Sequence, residues 1–397
     1  MEKRKYFCIV KHLKSIFSKI VIVFIFISLS TSLSFAQTAN DSIKISLLTC
    51  SPHDEVYSVY GHTAIRYVNL NNGEDWTFNY GIFNFNKPFF TLRFIFGFTD
   101  YQLGVIPFEF FKQEYSKENR QVIEQELNLT SEEKYNIYKA LRDNYLPQNR
   151  VYRYNFIYNN CTTKARDIIE TNIKGKIIYP EEEHDVSIRD LIHECTEDYP
   201  WLKFGDDLCL GLVADFDADR KTQQFLPLYL MRDYSKASIE HNGNKRPLVK
   251  KESIIIKSNP HITEKTYITP LACCLVLLII TSIITFRECK LNKTYNYYDA
   301  ALLLVCGISG ILLLALMCSL HPTTSINLQF LILNPIHLFY IWKVAKKKET
   351  HYWKLSTSLI IAFFIGSIWQ KYADGMLFVA LSLLLRNYSH YKVHKCS

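Results

Sequence analysis

No C-x-x-C spacing occurs among Cys50, Cys161, Cys195 and Cys209, the four cysteines of the polar half of this 397-residue chain, so a metal site of that type is not expected. The other seven of the eleven cysteines lie in the N-terminal segment (Cys8), in apolar runs (Cys273, Cys274, Cys306, Cys318) or in short basic stretches (Cys289, Cys396), so the count does not make a disulfide framework. Cys195 and Cys209 would be permitted a bond in an oxidising compartment, but nothing requires one. The chain lacks an internal repeat. It also lacks a basic tract that would imply nucleic acid: much of the excess behind the net charge of +8 sits at the N-terminus and in loops between apolar runs, where lipid topology accounts for it. Charges are scarce in the last third, and nothing there resembles a proton relay or an ion path. No cofactor and no metal are expected.

Residues 1–36 read as an export signal. A basic stretch from Met1 to Lys19 precedes the apolar run IVIVFIFISLS, and Ser34-Phe35-Ala36 before Gln37 is an A-x-A-like cleavage site. An uncleaved anchor is the rival reading, and both place the following segment outside the cytoplasm. An extracytoplasmic domain is expected over 37–235, a polar tether over 236–265, and about five transmembrane helices over 266–390. The apolar runs fall at about 267–286, 299–319, 325–343, 355–370 and 373–387; the last two are short and separated only by Gln370-Lys371-Tyr372, so they read either as two spans or as a tight hairpin. Arg287, Lys290 and Lys293 follow the first run; Lys343, Lys346, Lys347, Lys348 and Lys354 follow the third; Arg386, Lys392 and Lys395 follow the fifth. The loop HPTTSIN after the second has neither Lys nor Arg. These basic segments are cytoplasmic by the positive-inside rule, which puts the polar domain outside, in agreement with the signal. His321, Asn327, Asn334 and His337 read as helix-packing polar groups, with a substrate-facing role for some of them as the alternative.

Within the polar domain, Lys44–Cys50 and His62–Tyr67 read as strands. The turn Asn71-Asn72-Gly73 leads to a third strand through Trp76 to Tyr80. Thr130 with Glu133 makes a capping box for a helix to about Tyr145. Arg150–Phe156 reads as extended, and Cys161 opens an amphipathic helix with Ala165, Ile168 and Ile169 on its apolar positions. The fold class is therefore α+β, followed by an all-α membrane bundle.

Two constellations carry chemistry. One is Tyr60-Gly61-His62-Thr63, with a histidine at the start of an alternating strand. The other is Asn159-Asn160-Cys161-Thr162-Thr163, directly before a helix. A cysteine at a helix N-terminus meets unpaired N–H groups and the positive end of the macrodipole, and both favour thiolate, the nucleophilic form. A histidine on a neighbouring strand could take the thiol proton and return it to a leaving group. Asn159 or Asn160 could cap the helix or donate to an oxyanion beside the Cys161 amide. The plain alternative for each residue is a packed or hydrogen-bonded core side chain.

The stretches SPHDEVYSVYGHTAIRYV, NYGIFNFNKPFFTLRFIFG, YRYNFIYNNCTTKARDII and DDLCLGLVADF, in that order, closely resemble the Lnb-type N-terminal periplasmic domain of Bacteroidetes. The resemblance spans about residues 42–230, and the apolar tail is also similar to the family. It implies a circularly permuted papain/NlpC-like domain in which the His strand precedes the Cys helix. It makes Cys161 the nucleophile and His62 the base, with Asn79 as candidate third member. Tyr60 and Arg166 match family motifs with structural roles, and Gly211 and Asp215 read as scaffold. The activity implied is lipoprotein N-acyl transfer in the bacterial inner membrane. An acyl chain would pass from a phospholipid through a Cys161 thioester to the N-terminal amine of a diacylated lipoprotein. Phe89, Phe90, Phe94, Ile95, Phe96 and Phe98 could line an acyl groove or dip into lipid, although core packing is the favoured reading. Arg93 and Lys87 read as solvated in preference to headgroup contacts. The rival functions are a membrane-anchored cysteine peptidase or amidase acting on cell wall, and a non-catalytic envelope binding module.

Overall fold

The computed structural model of the chain describes residues 42–84, 86–181, 185–259, 266–348 and 351–396, so the export signal expected over 1–36 lies outside the described residues. The strands in chain order are β1 (Ile43–Cys50), β2 (His62–Asn69), β3 (Glu74–Ile82), β4 (Asp100–Pro107), β5 (Val122–Leu127), β6 (Val151–Arg153), β7 (Lys176–Ile178), β8 (Ser238–His241), β9 (Asn244–Pro247) and β10 (Val249–Ile256). Seven of them form one antiparallel sheet in the order β10-β5-β1-β2-β3-β4-β6, and β7-β8-β9 form a second. The helices of this half are α1 (Phe90–Ile95), α2 (Phe108–Lys117), α3 (Ser131–Tyr145), α4 (Cys161–Thr171), α5 (Ile188–Thr196), α6 (Pro200–Cys209), α7 (Arg220–Gln223) and α8 (Pro227–Lys236).

β1 is central and buried on both faces from Ile45 onward, and the two-residue period of a strand assigns its side chains to different layers. Ile45 and Leu47 join the core beneath α3, α4 and α8, with Ile137, Leu141, Ile169 and Leu230. Leu48 and Cys50 face the opposite way, against Phe108 and Phe111 of α2. The expected hairpin is present, closed by Gly73 at φ 75 with its N–H donated to the Asn69 carbonyl at 3.0 Å. The expected capping box at Thr130 and Glu133 is also present.

The polar tether expected over 236–265 is corrected. Residues 238–256 are three strands, and β10 pairs with β5 as an edge of the main sheet. Core packing of 89–98 is likewise corrected: α1 buries no residue, and Phe89, Leu92, Phe94 and Phe98 are exposed.

The C-terminal part contains five helices among the described residues: α9 (Pro270–Leu291), α10 (Asn296–Met317), α11 (Ile336–Ala345), α12 (Tyr352–Gly366) and α13 (Met376–Cys396). Pro270–Leu291, Asn296–Met317 and Leu328–Ala345 are long and apolar enough to cross a membrane, and α12 is a shorter apolar helix. The third segment is broken before α11. Pro335 has no N–H to give and disfavours helix at Asn334. The Asn334 side chain caps the break, donating to the Phe330 carbonyl and accepting from the Ile336 amide. Gly310 of α10 sits where a Cβ would lie 2.6 Å from the Asn334 backbone, so this close packing requires glycine. Arg386 does not lie in a loop as expected. It is buried in α13, paired with Asp299 of α10 and Glu288 of α9, while His390 also meets Asp299. A charge at that depth is tolerated because it is paired on two sides.

The two halves are joined on one side of the bundle. Gly211 donates its N–H to the Thr323 carbonyl at 2.8 Å and Leu212 to Ile326 at 3.1 Å. Asn327 and Gln329 donate to the Leu208 and Asp207 carbonyls, and Gln370 to that of Leu210. Lys371 pairs with Asp190 at 2.6 Å. The loops after α10 and after α12 therefore both face the sheet domain. Arg287 to Lys293, Lys343 to Lys348, and Lys392 toward the end of α13 lie at the opposite ends of these helices, which is the arrangement the loop charges imply once the buried Arg386 is set aside.

Candidate active site

Cys161 is the first residue of α4, and its position is built by Asn160. The Asn160 backbone is extended, and its Oδ1 accepts from the amides of Thr162 and Thr163, both at 2.9 Å. Thr163 completes the box by accepting from the Asn160 amide at 2.8 Å. Asn160 Nδ2 donates to the Phe156 and Phe225 carbonyls, so both of its hydrogens are committed. Of its two expected roles, Asn160 takes the cap. Asn159 donates to the Arg153 carbonyl and closes the 155–159 turn by paired backbone bonds to Asn155, so it shapes the approach to the helix. The Cys161 amide, at the first helical position, has no intrahelical acceptor.

His62 opens β2 opposite Cys50 of β1, and α4 packs across β2 and β3. The turn into His62 needs Gly61: it is left-handed at φ 76, and a Cβ there would lie 2.8 Å from the Cys50 carbonyl oxygen. The His62 ring lies close enough to the Cys161 thiol for its charge to act on it, and its Nε2 bonds Asn79 Oδ1. Asn79 lies on β3 just before an irregularity between Asn79 and Ile82, where Gly81 is left-handed at φ 96. That bulge re-aims the strand end toward the helix start. A Cβ at Gly81 would stand 3.7 Å from the Cys161 Cβ. The structure thus brings together the three residues singled out at positions 62, 79 and 161.

Burial pushes the Cys161 thiol up. The opposing pull of His62, by charge and hydrogen bond, with the Thr63 amide and the Thr162 hydroxyl, outweighs it and lowers the thiol from 9.0 to about 7. His62 is raised from its ordinary value: burial disfavours its charge, but Cys161 and then Asn79 favour it more. The remaining cysteines of the sheet domain behave oppositely. Burial drives Cys50 and Cys195 to about 12 and Cys209 to about 11. All four are free thiols, so the permitted Cys195–Cys209 bond does not form.

The other motif residues are held by contacts within the fold. Tyr60 donates to Asp206 of α6 at 2.7 Å and packs edge-on against Phe156, tying the turn before His62 to the helix that meets the membrane bundle. Arg166 is buried and binds Asp167 and the Lys221 carbonyl. Asp215 and Asp207 hold Arg189, which is fully buried. Gly211 lies where the two halves touch: a Cβ there would fall 2.0 Å from the Ser325 carbonyl oxygen. The sequence reading missed Thr63, Thr162 and Gly81. The signal for the threonines lay in the motifs themselves, since Thr63 and Thr162 each follow a key residue and their hydroxyls bond at 3.1 Å, joining β2 to α4. Among the described residues no group of three or more His, Cys, Asp or Glu is arranged to hold a metal ion.

Two family models match the chain. The Lnb N-terminal periplasmic domain matches residues 31–193, and the Lnb transmembrane domain matches residues 262–396. Neither curated proteins nor solved structures give a match.

Proposed function

The chain belongs to the Lnb family, as a membrane protein with a periplasmic domain, and from that premise we propose that it is a thiol-dependent lipoprotein N-acyltransferase of the bacterial inner membrane. The observation that carries the reading is Cys161 at the start of a helix, with His62 beside the thiol and its ring bonded to Asn79. A histidine strand preceding a cysteine helix also supports a circularly permuted papain/NlpC-like domain.

Asn79 holds the His62 ring through Nε2, which leaves Nδ1 toward the thiol. His62 takes the Cys161 proton, and the thiolate attacks the acyl ester carbonyl of a phospholipid. The Cys161 amide meets the oxyanion. As the ester C–O bond breaks, imidazolium returns the proton to the departing alkoxide, leaving lysophospholipid and a Cys161 thioester. The free amine of a diacylated lipoprotein then attacks the thioester. The C–S bond breaks, an amide forms, and the amine's proton passes through His62 while the thiolate is regenerated. Both substrates reside in the membrane, and fixing the thiol beside it raises their effective concentration. A wall peptidase would use the same pair, but it would have no need of a five-helix bundle docked through Asp207–Leu212.

The test uses the full chain in phosphatidylethanolamine vesicles. A hydroxylamine-sensitive acyl adduct on the Cys161 peptide, matched by released lysophospholipid and absent in Cys161→Ala, is the expected result. Lysophospholipid release by the Ala variant would contradict the reading.

A further inference from the structure

The segment 89–98 has the composition of a core but the position of a surface. Phe89 is 78% exposed and Leu92 53%, with Phe94 and Phe98 exposed beside them. Phe89 also holds a left-handed backbone at φ 56, a conformation that a bulky residue takes only under constraint. Isolated exposed apolar residues need no explanation, but a contiguous group of large ones does.

Its location says what covers it. The Leu320 amide, just past the end of α10, donates to the Phe96 carbonyl at 3.2 Å, and His321 meets the Phe94 carbonyl at 2.8 Å. Gly97 is pressed against Leu320, where a Cβ would lie 3.0 Å from that of Leu320. The segment is thus level with the end of a membrane-crossing helix, on the side that carries the sheet domain. Leu320 is itself exposed. At the same edge Arg93 and Arg153 share one carboxylate, Asp100, with bonds of 2.9 Å each. That arrangement keeps a net positive charge where anionic headgroups lie. From this edge a row of stacked rings runs inward. Phe90 lies 6.1 Å from Phe83, Phe83 lies 4.9 Å from Tyr101, and Tyr101 lies 4.0 Å from Tyr154. The row ends beside the site: at Gly81, two residues before Phe83, an added Cβ would stand 3.7 Å from the Cys161 Cβ.

We propose that α1 and the turn after it are inserted among the acyl chains of outer-leaflet phospholipids, and that the acyl donor reaches Cys161 from this edge along the aromatic row. The second half of this proposal rests on the acyltransferase reading; the insertion does not.

The experiment places the full chain in vesicles of phosphatidylethanolamine containing a phospholipid with a diazirine in its acyl chain. After irradiation, adducts are mapped by mass spectrometry. Adducts on residues 89–98 as well as on α9–α13 are expected, and adducts confined to α9–α13 would overturn the insertion. In parallel, Leu92→Glu combined with Phe94→Glu is expected to remove the adducts on 89–98. The same variant should slow phospholipid-dependent acylation of Cys161 at least tenfold. Unchanged acylation in that variant would overturn the route, whatever the adducts show. If the unaltered chain forms no acyl-Cys161 at all, the acyltransferase reading fails, and the crosslinks still decide the insertion.

Discussion

At pH 7 a thiol with a pKa of about 7 is half ionised, whereas one left at 9.0 is about one per cent ionised, a difference of about 3 kcal/mol between the two states. Thiolate supply at Cys161 is therefore raised roughly fiftyfold. Nucleophilicity falls as pKa falls, with a slope near ~0.45, so two units cost roughly eightfold in intrinsic reactivity. The net expectation is a roughly sixfold faster exchange with an aromatic disulfide at pH 7 than an ordinary thiol shows. The reaction should reach half its plateau rate near pH 7 and rise with pH, since deprotonation creates the reactive form. His62→Ala removes the charge and the hydrogen bond that lower the thiol but leaves the burial that raises it. Its half-point should then move above 9.0, and the pH 7 rate should drop at least sixfold. The assay is release of the chromophoric thiol by full-length protein in detergent, with Cys161→Ala subtracted. Cys50, Cys195 and Cys209 interfere little, because burial holds them at about 11 to 12. A half-point near 9 in the unaltered chain, or none of this shift in His62→Ala, would refute the electrostatic reasoning.

Asn79→Ala frees the imidazole to rotate, and acyl transfer should fall about tenfold or more with the protein level unchanged, while Asn79→Asp recovers part of the rate. Gly211→Ala forces a methyl group onto the Ser325 carbonyl, a clash worth about 1–3 kcal/mol; the detergent-solubilised chain should melt roughly 3–8 °C lower and its 321–327 loop should become easier to cleave. Glu133 is fully buried, bonded to Arg246 and to the Thr130 and Lys174 amides, and these contacts hold its carboxyl below the ordinary value despite burial. A depressed carboxyl stabilises the fold above its unfolded pKa and loses that stabilisation as pH falls through the folded one. Glu133→Gln should therefore lower the melting temperature at pH 7 and flatten its decline below about pH 4. An equal loss at pH 7 and at low pH would contradict this.

What could be read from the residues was what is decided locally. The box at Thr130 and Glu133, the Asn-Gly hairpin and the helix opening at Cys161 are each specified within a few positions, and all three are present. Strand β10 was not legible because VKKESIII lacks alternation. It is an edge strand, where charges such as Lys250 and Lys251 are favoured on the outside, and its partner β5 is more than a hundred residues away. Arg386 looked like a loop charge for the same reason, since its burial is decided by Glu288 and Asp299 on other helices. The phenylalanines of 89–98 carry no mark that separates a core from a lipid-facing edge; only their contact with Leu320 and His321 does so. Within the site, the Cys161 and His62 motifs were legible. The choice between cap and oxyanion donor for Asn160 was not, because it turns on two carbonyls, Phe156 and Phe225, that the fold supplies.

The central claim is that Cys161 carries an acyl group to the lipoprotein amine. Mass spectrometry of lipoprotein N-termini, in a strain without other N-acyltransferases, tests it most directly. Expression of the unaltered chain should convert diacylated to triacylated N-termini. The Cys161→Ala variant, accumulating to the same level in the membrane, should leave them diacylated. Triacylated N-termini in the Ala strain would contradict the claim.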